Sequence, residues 1–183
     1  MEYDFLVYLC ALARIFFFKP AIGLEILRNC PDLKTLFSMG RETLLELFNG
    51  SQQYVSAILD RNLLDWAQSN IDKTLSRGVQ IIPITSSLYP ERLKQCPDAP
   101  LLLYYRGSAD LNSRHVLSVV GTRRASTYGR KCCQSIIGQI SNNDVKPLIV
   151  SGLALGIDEC AHLAALEEGL ETVAVMPTGM DRI

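Results

Sequence analysis

Two hydrophobic patterns divide the chain. From residue 3 to about residue 78, apolar residues recur at the three- and four-residue spacing of amphipathic helices. The breaks between these helices fall at Lys19-Pro20, Cys30-Pro31, Met39-Gly40, Asn49-Gly50-Ser51 and Arg77-Gly78. After Gly78 the pattern changes to short apolar runs rich in β-branched residues. We therefore predict an all-α domain over residues 1–78 and an α/β domain over residues 79–183.

The helical region gives no sign of chemistry, and we interpret it as a small bundle. Its last and longest helix is predicted to begin at an N-cap, Ser51. Its apolar face is formed by Tyr54, Ile58, Leu59, Leu63, Trp66 and Leu75. The apolar run at residues 5–18 is interrupted by Arg14 and is too short to span a bilayer, so we expect a buried helix and no membrane partner.

Strands and helices alternate in the second region. Strands are predicted at residues 79–84, 101–105, 116–120, 148–150 and 172–176. Ser126 is predicted to cap a helix that runs to about Ile140, with Ile136, Ile137 and Ile140 inside. Another helix carries Ile157, Ala161, Ala164, Ala165 and Leu166, and it ends at Gly169. Such alternation predicts right-handed βαβ units in a Rossmann-like parallel sheet with helices on both faces, a three-layer arrangement.

Three loops follow the carboxyl ends of these strands, where open α/β sheets bind their ligands. They contain hydroxyls, backbone amides next to glycine, and one guanidinium. The donors are Gly121, Thr122, Arg123, Ser126, Ser151, Gly152, Gly156, Thr178 and Gly179. Donors that converge at helix N-termini suit phosphate, and a guanidinium suits it especially well. We predict one concave phosphate-binding site at this edge.

The familiar nucleotide motifs are missing from these loops. Residues 121–129 do not match G-x-G-x-x-G, and the chain has no Walker A sequence, so no cofactor is expected. Asp158 and His162 lie four residues apart and have the spacing of an acid–base pair. We favour a structural role at the helix N-terminus, because an acid there stabilises the helix dipole and His162 can hydrogen-bond nearby. We expect no catalytic residue and no metal site.

Charge and cysteine usage narrow the class of protein. The formal net charge is −1, but residues 106–146 hold seven Arg or Lys and two Asp, whereas residues 147–183 hold one Arg and six Asp or Glu. The six cysteines form no C-x-x-C pair and have no histidine at ligand spacing. This usage is typical of a reducing cytoplasm.

Residues 80–183 resemble the DprA/Smf family of bacterial DNA-processing proteins. The matching stretches are Ser87-Leu-Tyr-Pro-Glu-Arg-Leu93, Tyr105-Arg-Gly107, Val120-Gly-Thr-Arg123, Ser126-x-Tyr-Gly129, Ser151-Gly-Leu-Ala-Leu-Gly-Ile-Asp158 with Ala161-His162 and Ala165-Leu166, and Thr178-Gly-Met-Asp181. The N-terminal helices look like the small SAM/helix-hairpin-helix-like domain of many members. Direct DNA binding by the hairpin-like residues 20–25 is not expected, because Ala21 and Glu25 replace a glycine and a basic residue.

The resemblance implies a protein that binds single-stranded DNA, protects incoming strands and helps to load a RecA-type recombinase in natural transformation. It implies that the strand lies against Arg123 and residues 151–156. Because single strands stack their bases on aromatic rings, we also expect Tyr128 to stack on a base. The DNA-binding set is then Gly121, Thr122, Arg123, Ser126, Tyr128, Ser151, Gly152, Leu153, Ala154, Gly156, Thr178 and Gly179. Many members carry Lys or Arg where this chain has Leu155, so we expect one phosphate contact either to be missing or to be supplied elsewhere.

Family members continue beyond the position of Ile183. The resemblance therefore implies a chain truncated within the Rossmann-like domain, with any homodimer contacts beyond its end.

Two other functions compete with this one. The fold also resembles the lysine-decarboxylase-like (LOG) enzymes that act on nucleoside monophosphates. Those enzymes carry a P-G-G-x-G-T-x-x-E run, whereas this chain has Pro177-Thr-Gly-Met-Asp181 and lacks the glutamate. The third alternative is a partner-binding protein without a ligand, which only the near-neutral charge supports.

Overall fold

The structure, a computed structural model, describes residues 3–179. The chain forms two compact units, Met1–Gly107 and Ser108–Ile183. The boundary that we place after residue 78 rests on composition and stays a prediction. Contacts divide the chain later, because the segment between residues 79 and 107 packs with the helices of the first unit.

The first unit begins with a run of helices. They are α1 Tyr3–Ile15, α2 Pro20–Asn29, α3 Leu33–Ser38, α4 Arg41–Leu47, α5 Gln52–Leu59 and α6 Arg61–Ser76. The predicted breaks are confirmed, since proline or glycine interrupts the backbone hydrogen bonds at each of them. The middle of α1 is buried at residues 9–12. Within the described part of the chain, no helix has the length and apolar character needed to cross a membrane.

The prediction of one long helix after Ser51 is wrong. The apolar spacing continues across residues 52–76, but the backbone of Asp60 is extended, with φ −75° and ψ 104°. The Asp60 carboxylate accepts a hydrogen bond of 3.0 Å from the Asn62 N–H and starts a new helix. Ser51 occupies the predicted N-cap position of α5 without a capping hydrogen bond from its side chain.

A hairpin completes the first unit. Strands β1 Gln80–Pro83 and β2 Leu102–Tyr105 pair antiparallel, and a short helix, α7 Glu91–Lys94, lies between them in sequence. The Tyr104 hydroxyl accepts a 3.0 Å hydrogen bond from the Asn70 side chain of α6. Burial of this phenol raises the pKa of Tyr104. The hairpin therefore packs against the helices and takes no part in the parallel sheet.

The second unit has the predicted βαβ topology. Its elements are β3 Val116–Ser118, α8 Thr127–Ser141, β4 Leu148–Ser151, α9 Ile157–Glu167 and β5 Thr172–Ala174. The strands are parallel in the order β3-β4-β5. Strands β3 and β5 end two residues before the predicted positions. Right-handed crossovers in this order put α8 and α9 on the same face of the sheet. A helix layer on the other face, which three layers require, is not among the described elements of this unit.

The core of the second unit lies between this sheet and its two helices. Its buried members include Cys133, Ile137, Ile149, Cys160, Ala161, Ala164, Ala165 and Leu170. The Ser126 side chain caps α8 as predicted, accepting a hydrogen bond from the Gly129 N–H. Two predicted core residues are exposed, Ile136 and Leu166. Each lies next to a buried residue in sequence, Ile137 and Ala165 respectively, and the rotation of 100° per helical residue turns it towards solvent.

Candidate nucleic-acid interface

The three predicted loops lie at one edge of the sheet. The first loop, residues 119–126, follows β3; the second, residues 152–156, follows β4; the third, residues 175–179, follows β5. The Ser151 hydroxyl donates to the Val119 carbonyl oxygen at 2.7 Å, and the Val175 N–H donates to the Ser151 carbonyl oxygen at 2.8 Å. Ser151 therefore joins the beginnings of all three loops. The single concave shape that we predict for them stays a prediction.

The carboxylate of Asp158 ties the first two loops together. Its Oδ1 accepts a hydrogen bond from the Gly121 N–H and its Oδ2 accepts one from the Gly152 N–H, both at 3.2 Å. Asp158 is 6% exposed and lies in the first turn of α9, where a negative charge also stabilises the helix dipole. The amide protons of Gly121 and Gly152, which we expected to face a phosphate, are therefore directed at this carboxylate.

Gly156 allows the second loop to lie directly against the backbone of the first. Its φ of 97° and ψ of −120° fall in a region that only glycine adopts readily. A Cβ atom there would stand 2.7 Å from the Arg123 carbonyl oxygen, closer than van der Waals contact allows. The Ile157 N–H donates to the Thr122 carbonyl oxygen at 3.2 Å. The two loops thus form one hydrogen-bonded body.

Several donors of this body have no acceptor among the described residues. They include the backbone N–H groups of Leu153, Ala154 and Leu155 and the guanidinium groups of Arg123 and Arg124. Other predicted residues have internal partners: the Thr122 hydroxyl accepts from the Arg124 N–H at 3.2 Å, and the Ser126 hydroxyl accepts from the Gly129 N–H at 3.1 Å. Each of these two hydroxyls still has its own proton to donate.

Exposed apolar side chains surround these donors, and sequence reasoning missed two of them, Val120 and Val175, which it placed inside strands. Val120 is 87% exposed, Leu155 is 73% exposed, and Leu153 and Val175 are also exposed. Leu153 has φ 59°, which is uncommon for any residue other than glycine and turns the second loop sharply. A hydrophobic pattern assigns such residues to the core. Their positions directly after strand ends were the signal that they belong to the loops instead.

The remaining predicted residues lie on the surface nearby. Tyr128 is 78% exposed in the first turn of α8, and a hydrogen bond with the Cys132 thiol raises the pKa of its phenol. Thr178 and Gly179 are exposed at the end of the third loop. The two residues that follow them in the resemblance, Met180 and Asp181, lie outside the described residues.

His162 is buried one turn into α9, and its hydrogen bonds identify its tautomer. The Thr172 hydroxyl donates its proton to the Ile149 carbonyl oxygen at 3.0 Å, so it must accept from His162 Nδ1 at 2.7 Å. His162 Nε2 then carries a lone pair with no hydrogen-bond partner among the described residues. Burial lowers the pKa of His162, although the Asp158 charge opposes this shift. His162 Nδ1 bonds Thr172 and Nε2 has no partner, so no hydrogen bond joins His162 to the Asp158 carboxylate as an acid–base pair requires.

Comparison with known proteins identifies the family. The sequence profile of the family described as DNA recombination-mediator protein A matches residues 80–183. DNA processing protein DprA of Streptococcus pneumoniae is 44% identical over 113 residues, which are 60% of this chain and 39% of that protein. Protein Smf of Borreliella burgdorferi is 28% identical over 167 residues, which are 91% of this chain and 51% of that protein. The chain thus spans about half or less of the length of these relatives.

A solved structure agrees with this assignment. The X-ray structure of DNA processing protein A from Streptococcus pneumoniae superimposes with a TM-score of 0.66 and 28% identity, covering 98% of this chain and 59% of that one. The likeness therefore extends over the helical region as well as the parallel sheet. The resemblance predicted from the loop sequences is confirmed, and the chain belongs to the DNA recombination-mediator protein A family, the DprA/Smf DNA processing proteins.

Proposed function

We propose that this chain binds single-stranded DNA as part of a recombination mediator, with the phosphates of the strand at the carboxyl edge of β3, β4 and β5. One observation carries the proposal. Asp158 locks the first two loops together, while three consecutive amides of the second loop and the guanidinium groups of Arg123 and Arg124 keep no acceptor among the described residues. Consecutive N–H groups before a helix N-terminus are a favourable anion site.

The proposal gives the predicted site residues two roles. Arg123 and the amides of Leu153 and Ala154 contact phosphate, together with the free hydroxyl protons of Thr122, Ser126 and Thr178. Glycines 121, 152, 156 and 179 and the hydroxyl of Ser151 shape the loops so that these donors converge.

Exposed apolar side chains next to the donors favour a single strand over a duplex. The ring of Tyr128 and the side chain of Leu155 are open to solvent, and unpaired bases can stack or pack on such surfaces. Bases of a duplex are already stacked on each other. Because Leu155 has no charge, we expect its contact to be with a base and the phosphate contacts to come from the neighbouring amides.

We further propose a non-catalytic protein of the bacterial cytoplasm that passes the strand to a RecA-type recombinase. The geometry of Asp158 and His162 supports the non-catalytic part. Asp158 is held by two amides, and the free lone pair of His162 is on Nε2, an atom buried away from solvent, so neither group presents a general base at the loop surface.

Fluorescence anisotropy with a labelled oligo-dT tests the proposal. The chain should bind the labelled single strand, and an unlabelled duplex of the same length should compete poorly for the protein. The affinity for the single strand should fall as salt rises, because binding releases counterions from the phosphates. Failure to bind the oligonucleotide at low salt, or affinity independent of salt, would contradict the proposed function.

A further inference from the structure

We propose a second single-stranded DNA contact in the first unit, formed by the aromatic tip, a name that we give to Phe17, Phe18 and Lys19 with Tyr54 beside them. Phe18 is 91% exposed and Phe17 is 71% exposed. Phe18 is the most exposed large hydrophobic side chain in the part of the chain that the structure describes. The inference rests on the proposed function, since the ligand is the same strand.

The aromatic tip is anchored by Phe16, the buried residue that precedes it. Helix α1 ends at Ile15, and the next residue, Phe16, is buried against the rings of Phe48 and Tyr54, with centroids 6.2 Å and 5.0 Å away. Helix α2 begins at Pro20, so residues 17–19 form the turn between the two helices. Because Phe16 occupies the buried position, the side chains of Phe17 and Phe18 cannot also pack into the core. Phe17 and Phe18 extend into solvent because the backbone fixes them there.

The geometry of the two rings suits a stacked base. Their centroids are 4.9 Å apart and their planes meet at 87°, so the edge of one ring rests on the face of the other. This arrangement is favourable for an aromatic pair and limits the motion of both rings. With these exposures, ring faces remain open to solvent. Base–aromatic stacking needs only an open ring face and tolerates any base sequence.

The charge around the tip identifies a polyanion as the occupant. Lys19 donates to the Tyr54 hydroxyl at 3.1 Å and lies 5.8 Å from the centre of that ring. Residues 14–24 and 48–57, which meet at the tip, contain no Asp or Glu, and the flanking acids are Glu25, Glu46 and Asp60. Of the two cations in these segments, Lys19 lies at the tip, whereas the Arg14 guanidinium lies 4.0 Å from the centre of the Trp66 ring. The Arg41 guanidinium also reaches this surface through a 2.5 Å hydrogen bond to Gln52. Cations beside open aromatic rings are the features with which single strands are bound.

The tip also presents amides that can meet base edges. Asn49 is exposed in the turn before α5, and Gln52 and Gln53 are exposed in its first turn, next to Tyr54. Side-chain amides both donate and accept, so they can adapt to different bases. A second copy of this chain would place like charges from two tips together. Attraction between these cations and phosphates favours the strand over such a dimer.

The test compares variants of the full chain by anisotropy with oligo-dT over a range of salt concentrations. F17S/F18S should bind about fivefold or more weakly, the fold-change that loss of one stacked base produces. Its salt slope should be unchanged, because neither ring is charged. F18W should bind as the parent does. L75S, which alters another exposed apolar residue of the same unit, is the matched control and should also bind normally.

A photo-cross-link separates the possible outcomes. Oligonucleotides that contain 5-bromouracil should cross-link to the peptide that holds residues 17 and 18, and they should still do so in R123A. Parent affinity in F17S/F18S, with no cross-link at the tip, would overturn the inference and leave the proposed function standing. A parent chain that binds no single strand would overturn both. A dimer in sedimentation velocity that F17S/F18S dissociates would assign the tip to a second copy instead.

Discussion

Asp158 is the residue on which the geometry of the candidate interface depends most. Its two carboxylate oxygens each accept one backbone N–H, from Gly121 in the first loop and from Gly152 in the second. Both contacts are shielded from water, because Asp158 is buried. Asp158 itself is not proposed to contact DNA. It sets the distance between the two loops whose residues we propose to contact DNA.

Asp158→Ala should destabilise the second unit. The substitution leaves two partly buried amides without their acceptor, and each such loss costs about 1–3 kcal/mol. The free energy of unfolding, measured by urea denaturation, should fall by about 2–6 kcal/mol for the two amides together, and oligo-dT affinity should fall with it. Glu159→Ala is the control, because Glu159 is half-exposed and makes one long ion pair of 3.9 Å with Arg130. Equal stability of the two variants would contradict the role of Asp158 as a link between loops.

Arg123→Ala should weaken binding to every single strand alike. Its guanidinium has no partner among the described residues and follows Gly121 and Thr122 at the strand end. Loss of one phosphate contact should flatten the plot of log K against log salt by about 0.7. Arg124→Ala is the matched variant, and we expect a smaller effect from it. An unchanged slope in a folded Arg123→Ala protein would remove Arg123 from the interface.

His162 should make stability fall on the acid side of neutrality. Burial depresses its pKa in the folded state below the ordinary value of 6.5, so the unfolded chain binds the proton more tightly. Stability from this residue is complete above pH 6.5 and is lost as pH falls below it. In unfolding curves measured between pH 7 and pH 5, His162→Gln should show a weaker dependence on pH. An unchanged dependence on pH in His162→Gln would show the assignment to be wrong.

At the scale of the elements, the contact between the first and second loops depends on a glycine, Gly156. Gly156 has a positive φ and its Cα lies against the Arg123 backbone, so two separate constraints exclude a Cβ there. Gly169, just after the end of α9, also has a positive φ of 66° but no atom within 4 Å of the place a Cβ would take. Substitution of Gly169 therefore introduces backbone strain alone, whereas substitution of Gly156 introduces both backbone strain and a steric clash.

Gly156→Ala should cost more stability than Gly169→Ala. Strain at a positive φ costs about 1–2 kcal/mol for an ordinary residue, and only Gly156→Ala adds a clash with neighbouring backbone. Thermal and urea unfolding measure the difference. Only Gly156→Ala should also reduce oligo-dT affinity, because it pushes the two loops apart. Similar losses in both variants would mean that the loops can separate without cost.

At the scale of the whole molecule, the chain consists of two compact units and spans 39% of one relative and 51% of another. The basic residues between 106 and 146 belong almost entirely to the second unit, whereas the aromatic tip belongs to the first. Two modest contacts on one chain raise the total affinity for a flexible strand more than either does alone. Two such contacts would allow a protein with a net charge near zero to bind a single strand more tightly than either contact alone.

The chain should not hydrolyse nucleoside monophosphates or triphosphates. Asp158 and His162, the one pair with the spacing of an acid and a base, have their hydrogen bonds directed to Gly121, Gly152 and Thr172. Phosphate release from AMP and ATP, or base release from AMP, should stay at the buffer rate. Turnover of AMP that disappears in Asp158→Ala would contradict this and favour the enzyme alternative.

The sequence by itself determined the elements and the edge at which the loops meet. The breaks at proline and glycine, the cap at Ser126 and the strand–loop–helix order depend on local backbone geometry, which residue type and spacing specify. The right-handed crossover rule then places the three loops together without further information. Periodicity failed where a local hydrogen bond overrode it, as at Asp60, and where helical rotation turned a residue outward, as at Ile136.

Only the tertiary structure decided which donors remain available. The N–H of Gly121 finds its acceptor 37 residues away in Asp158, and the Ser151 hydroxyl donates to Val119, 32 residues away. The exposure of Phe17 and Phe18 likewise depends on how Phe16 packs against Phe48 and Tyr54. Hydrogen-bond partners and burial are set by which segments meet in space, and the spacing of residues along the chain does not contain that information.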